Sequence, residues 1–200
     1  MFKFVRYRDQ QNHQDLTLTT LKQMDARLTI WVFTLAYAIL AGWLDWRTRR
    51  IPNWLTVSGF FFGISLRTII GGWPGAKASL EGAGLALLLL LPFVLLRALG
   101  AGDWKLMAAV GAFLGPVLFL FVLVGSMFAA GLMAFVEAVK AKQLKTTLHN
   151  ILILVRGFVV FGFRANREIS LDNPRLLKVP FGVAVAASTM ACFAVAWWGL

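Results

Sequence analysis

SLEGAGLALLLLLPFVLLRALGAGD, residues 79–103, decides the fold. Ser79 to Leu99 is an apolar run with one charge near its start, Glu81, and one near its end, Arg97. About 20 such residues in an α-helix cross a hydrocarbon core of about 30 Å. Both charges reach the polar boundary by snorkelling, and both suit the helix dipole. Pro92 inside the run predicts a bend. Gly100-Ala101-Gly102 then breaks the helix and leaves Asp103 at the edge of the apolar phase.

Other segments of this kind lie to either side. Apolar stretches cover about 28–44, 54–70, 104–114, 117–139 and 181–200. With residues 79–99 they predict an all-α, polytopic membrane helical bundle of about six transmembrane segments, one of them short. The runs are too long and too numerous for a soluble helical core. A membrane β-barrel would need alternating apolar and polar residues, which are missing. The short segment, 104–114, rises only about 17 Å. It either sits in a locally thinned membrane or begins well inside it, and both options keep Asp103 near hydrocarbon. Gly71-Gly72-Trp73-Pro74-Gly75 reads as a tight loop, and Gly115-Pro116 as a stop. Pro52 falls near the first turn of the second helix. Gly125, Ser126, Ala129, Ala130 and Gly131 give the fifth segment small faces for close packing. Trp31, Trp43, Trp46 and Trp54 suit membrane-interface positions.

The 200-residue chain is 59% hydrophobic and 14% charged, with a mean hydropathy of +0.73. Its formal charge of +11 belongs to loops facing the cytoplasm and anionic lipid. No nucleic-acid motif accompanies it. The single cysteine, Cys192, excludes an intramolecular disulfide and a cysteine-based zinc site. His13 and His149 lie far apart, so neither a metal nor a cofactor is expected. Residues 1–27 read as a polar tail rather than a cleavable signal, and residues 28–200 as one membrane-embedded domain. Within that domain, 140–179 forms a basic amphipathic surface region. Leu144, Leu148, Ile151, Leu152 and Val155 there recur at helical spacing. If the loop after Asp45 is cytoplasmic, then Arg47, Arg49, Arg50, Arg97, Lys105 and 140–179 share that side. The basic bias then places Asp45 and Asp103 there too, against the opposing charge of the N-terminal tail.

The candidate chemistry rests on these two aspartates. A carboxylate at the centre of a membrane helix costs about 2.5–3.5 kcal/mol on insertion scales, and one at the edge of hydrocarbon part of that. Two such groups near one water form an acid–base pair. Like charges a few ångströms apart resist double ionisation, so the pair shares a proton and titrates as a unit. The ionised member takes a proton from water while the protonated member hydrogen-bonds a carbonyl. Gly100 and Gly102 allow unusual backbone angles and close approach of another chain. Taken singly, each residue has a plainer reading. Asp103 serves as an N-cap, Asp45 pairs with Arg47, Arg49 or Arg50, and Lys105 snorkels.

At these residues the chain resembles the type IV prepilin peptidases, membrane aspartic proteases with a Gly-X-Gly-Asp motif. Asp45 through Pro52 and Asn53 matches the family's first aspartate and its basic Ile-Pro-Asn loop. Gly100 to Lys105 matches the second motif, and Val179-Pro180-Phe181-Gly182 is a weaker echo. The resemblance implies Asp45 and Asp103 as the catalytic pair, shaped by Gly100, Gly102, Lys105, Pro52 and Asn53. It implies removal of short basic leaders from prepilin-like precursors at the cytoplasmic face of a bacterial inner membrane. The longer members' paired-cysteine region is missing, so the chain is similar to the short, peptidase-only form of tight-adherence (Flp) pilus systems, without N-methylation. A proton-relay or transport protein and a non-catalytic pilus-assembly scaffold are the alternatives. The first would need more polar residues at mid-membrane depth. The second sits poorly with an intact aspartate pair.

Overall fold

The structure, a computed structural model, describes residues 2–95, 99–140 and 180–198, with side chains from residue 21 onward. Every described element is an α-helix: α1 (Phe2–Thr48), α2 (Asn53–Leu95), α3 (Ala101–Lys140) and α4 (Phe181–Trp198). All four are long and apolar enough to cross a membrane, α1 over Leu21–Thr48. The chain is a multi-pass membrane protein. α1 runs through the expected boundary at residues 27 and 28 without a break. Lys140 closes α3, and the rest of the expected amphipathic region lies outside the described residues.

Where the sequence suggests six separate segments, the described residues form four helices, two of which turn back at a glycine. The turning residues are Gly72 in α2 (φ 59°, ψ −145°) and Gly115 in α3 (φ 75°, ψ 177°). Both lie in the left-handed half of backbone space, which glycine enters without a Cβ clash. Each is followed within two residues by proline, Pro74 or Pro116, in the first turn of the next arm. There the missing N–H leaves no bond unmade. The expected loop at 71–75 is thus a single residue wide. Pro92, expected to bend its helix, keeps helical backbone angles.

Contacts along α2 establish the reversal. In a straight helix residues 67 and 75 stand about 12 Å apart. Here a Cβ on Gly75 would collide with the Arg67 carbonyl oxygen. The first arm passes Lys105 at Asn53, Ala112 at Gly63 and Phe113 at Arg67. The second arm meets Ala112 at Ser79, Gly111 at Gly82 and Trp104 at Leu87. It therefore returns to the end it started from. α3 does the same. Its residues 114–118 share a cavity wall with residues 193–197 of α4, whereas Val122 and Gly125 meet Ser188, nearer the start of α4.

Packing is closest where side chains are smallest. A Cβ on Gly82 would strike the Gly111 carbonyl oxygen, and one on Gly111 would strike that of Gly82. Backbone touches backbone at this crossing, as small residues permit in membranes. Ser79 Oγ donates to the Ala112 carbonyl one turn away, at 2.6 Å. Residues 106–115, the first arm of α3, are all buried. Trp43, Trp46 and Trp54 are exposed around the Asp45 end, and Trp73, Trp197 and Trp198 around the other. The two groups form interfacial belts. Trp31 does not join them; it is buried against Phe193, ring centroids 5.9 Å apart.

Two neighbouring glycines test the crossing. Gly82→Ala should destabilise the protein by about 1–3 kcal/mol, because its methyl meets a backbone that cannot yield. Gly84→Ala, with nothing within 4 Å of its new Cβ, should be neutral or stabilising by up to about 1 kcal/mol. Thermal unfolding in detergent reads both.

Candidate active site

The C-terminus of α1 places the first aspartate. Thr48 ends the helix, and Arg49 follows with φ 53°. Its N–H donates to the Asp45 carbonyl at 2.8 Å, a left-handed cap of the kind glycine usually supplies. Asp45 itself is 6% exposed. Its Oδ2 accepts a 2.7 Å hydrogen bond from the backbone N–H of Gly182. Gly182 lies in the first turn of α4, whose N–H groups have no partners within the helix. The positive end of the α4 dipole therefore faces the Asp45 carboxylate. Arg49 is close enough for its charge to act on the same carboxylate, and Arg47 lies over the Trp43 ring, 5.7 Å from its centroid.

The second aspartate belongs to the start of α3. Gly100 is the N-cap: its carbonyl accepts the Trp104 N–H at 3.1 Å. Asp103 is the third helical residue, and its carboxylate folds back beside Gly100, close enough for the Gly100 N–H to act on it. The placement is that of the N3 acid in a capping box. The sequence reading of Asp103 as the N-cap itself is therefore corrected by three residues. Asp103 is held in cis by its own helix N-terminus, while Asp45 is held in trans by that of α4. The two carboxylates lie close enough for their charges to interact, although they stand 58 positions apart in the chain.

The surrounding residues fall as follows. Lys105 Nζ donates to Asn53 Oδ1 at 3.0 Å, so this lysine braces the start of α3 to the start of α2 instead of merely snorkelling. Pro52 precedes α2, and its carbonyl accepts the N–H groups of Leu55 (3.1 Å) and Thr56 (3.4 Å). It acts as the N-cap, one residue outside the expected first turn. Trp104 Nε1 donates to the Leu87 carbonyl at 2.9 Å, tying the motif to the returning arm of α2. Neither Gly100 nor Gly102 has positive φ, so special backbone angles do not explain them. Space does at Gly100, where a Cβ would stand 3.0 Å from Asp103 Oδ2. At Gly102 a Cβ would meet Ile51 at an ordinary 3.5 Å.

Sequence reasoning missed the role of Gly182. Its only signal was the Val179–Gly182 echo, and a backbone donor reaching across 137 positions leaves no local pattern. The arrangement offers two carboxylates, each beside a helix N-terminus, at one end of the bundle. Three further buried hydroxyls are spent within their own helices. Thr34 Oγ1 donates to the Ile30 carbonyl, Ser126 Oγ to that of Leu123 and Thr189 Oγ1 to that of Val185.

The family model of the type IV leader peptidase family matches residues 31–135, more than half of the chain. The chain belongs to that family, and it is a peptidase. Comparison with curated proteins and with solved structures gives no match.

Gly182→Ala tests the grip on Asp45. Its methyl would stand 2.9 Å from Asp45 Cβ and 3.2 Å from the Ala41 carbonyl oxygen. Moving α4 away to relieve this lengthens a charge-assisted hydrogen bond of about 1.5–3 kcal/mol. Peptidase activity should fall by about tenfold or more, while Gly84→Ala in the same assay leaves it unchanged.

Proposed function

We propose that this leader peptidase is an intramembrane aspartic endopeptidase, with Asp45 and Asp103 as its catalytic pair. The observation that supports this reading is their convergence at one end of the bundle, each fixed by a helix N-terminus. In the proposed reaction the pair holds one proton between them. The ionised carboxylate takes a proton from water as its oxygen attacks the scissile carbonyl carbon. The protonated carboxyl donates to the carbonyl oxygen. The tetrahedral intermediate then collapses: the C–N bond breaks and the amine leaves with a proton from the acid. No covalent enzyme intermediate forms.

The proposed substrates are type IV prepilins of the Flp-like kind, cut between a short basic leader and the apolar pilin helix. The reaction is hydrolysis without N-methylation. Gly100 makes room for the Asp103 carboxylate, and Gly102 leaves a low wall beside it. Pro52, Asn53 and Lys105 hold the α1–α2 turn against the start of α3. The catalytic face is placed at the cytoplasmic side of the bacterial inner membrane. Arg47, Arg49, Arg50 and Lys105 at the Asp45 end support this side under the positive-inside rule, against Arg27 and Arg67 at the other end. The same basic rim would rest against anionic head groups.

Purified protein and a candidate prepilin test the proposal. Asp45→Asn and Asp103→Asn should each abolish leader removal, a loss of at least about 10³-fold, while both proteins insert and melt like the parent. Wild-type cleavage by either variant would exclude the pair.

A further inference from the structure

A second feature lies at the other end of the bundle. A cavity of about 780 Å³ lies between the outer part of the α1 span, the Gly115 turn and the end of α4. That volume lies within the range of about 300–1,000 Å³ typical of small-ligand sites. Leu28 in its wall is 17 positions before Asp45 on α1, about 26 Å along the helix. The cavity thus sits near the membrane boundary opposite the aspartates.

Its lining combines hydrocarbon with cationic charge. Leu28, Trp31, Val117, Phe193 and Val195 provide apolar wall. Leu28 and Val195 in that wall are exposed, so the cavity is open to the surroundings of the bundle. Arg27 and Arg67 line it, against one acidic residue, Asp25. Arg67 is half-buried, and its Nη1 donates to the Phe113 carbonyl at 3.2 Å. Among the described residues no carboxylate stands within ion-pair distance of it. A guanidinium within a membrane span is costly without an anionic or backbone partner. One N–H is satisfied by Phe113, and the fork still has donors to offer.

We propose that this cavity binds an anionic glycerophospholipid, its phosphate on Arg67 and Arg27 and an acyl chain against Leu28, Val117 and Phe193. Guanidinium groups match phosphate oxygens in shape and charge. The site is distinct from the aspartate pair and does not depend on what that pair cleaves.

The test uses delipidated, detergent-solubilised full chain with phosphatidylglycerol, phosphatidylethanolamine or inorganic phosphate added. Thermal stabilisation and native mass spectrometry of retained lipid are the readouts. Phosphatidylglycerol should raise the melting temperature and remain bound. Phosphatidylethanolamine should do so more weakly, and inorganic phosphate not at all. Arg67→Gln and Arg27→Gln should each weaken the lipid's apparent affinity by about tenfold. Ala196→Phe, which fills the cavity and keeps both arginines, should do the same. Should Arg67→Gln fail to fold because it caps Phe113, the other two variants decide. Equal stabilisation of parent and variants, equal response to the two lipids, or a response to phosphate alone would overturn the proposal.

Discussion

The hydrogen bond from the Gly182 N–H to the Asp45 carboxylate is the constraint around which the site is arranged. A carboxylate buried at the edge of a membrane needs donors or it cannot remain charged there. α1 cannot supply them, since its C-terminus carries the negative end of its dipole. The donor comes instead from the opposite terminus of another helix. For α4 to offer it, the last helix must run antiparallel to the first and begin at the same level. Gly42 and Gly182 allow that approach: a Cβ on either would press against the partner helix, Gly42 on Ala186 and the Gly182 carbonyl, Gly182 on Asp45. Packing and electrostatics thus make the same demand on residue 182, and only glycine meets both.

Asp103 solves the same problem with local means. Lying at the third helical residue beside Gly100, it has the N-terminus of its own helix next to it. That difference explains what the sequence disclosed. Gly-Ala-Gly-Asp before an apolar helix announces a helix start, so the neighbourhood of Asp103 was legible from four residues. Asp45, closing an apolar run before a basic loop, could be located but not supplied with its donor. The Lys105–Asn53 bond joins the two motifs, yet neither motif alone shows why the other is present.

The helical class and the positions of the turns were also legible, because they follow from local chemistry. Gly72 with Pro74 and Gly115 with Pro116 stop one arm and start the next, and both were read as breaks. Their form was less accessible. A turn that occupies one residue leaves α2 and α3 continuous apart from that point, so six apolar stretches become four helices. The tightness is set by what the arms meet after turning. The Arg67 guanidinium lies where a Cβ on Gly115 would go, and donates to the last turn before it through Phe113. That contact satisfies a carbonyl freed by the end of the arm. No periodicity in residues 101–115 points to an arginine more than thirty positions upstream.

The short arm of α3 shows most plainly how tertiary context resolves a local ambiguity. At about 17–21 Å it cannot match a hydrocarbon core of about 30 Å, and the sequence left two remedies open, a thinned membrane or a start inside it. Both assume that lipid surrounds the helix. Residues 106–115 are all buried. α2 folds around them with both arms, touching at Gly63 and at Gly82, and the Tyr37 ring of α1 stacks near Phe113 at 5.3 Å between centroids. A helix walled off in this way has no hydrophobic thickness to satisfy, because its neighbours meet the lipid for it. Its length is free to be set by something else. What it sets is the distance between the Gly115 turn, locked by Arg67, and Asp103, locked by Gly100 and braced through Trp104 and Lys105. The arm is a strut, and its shortness fixes the depth at which the second carboxylate stands beside the first.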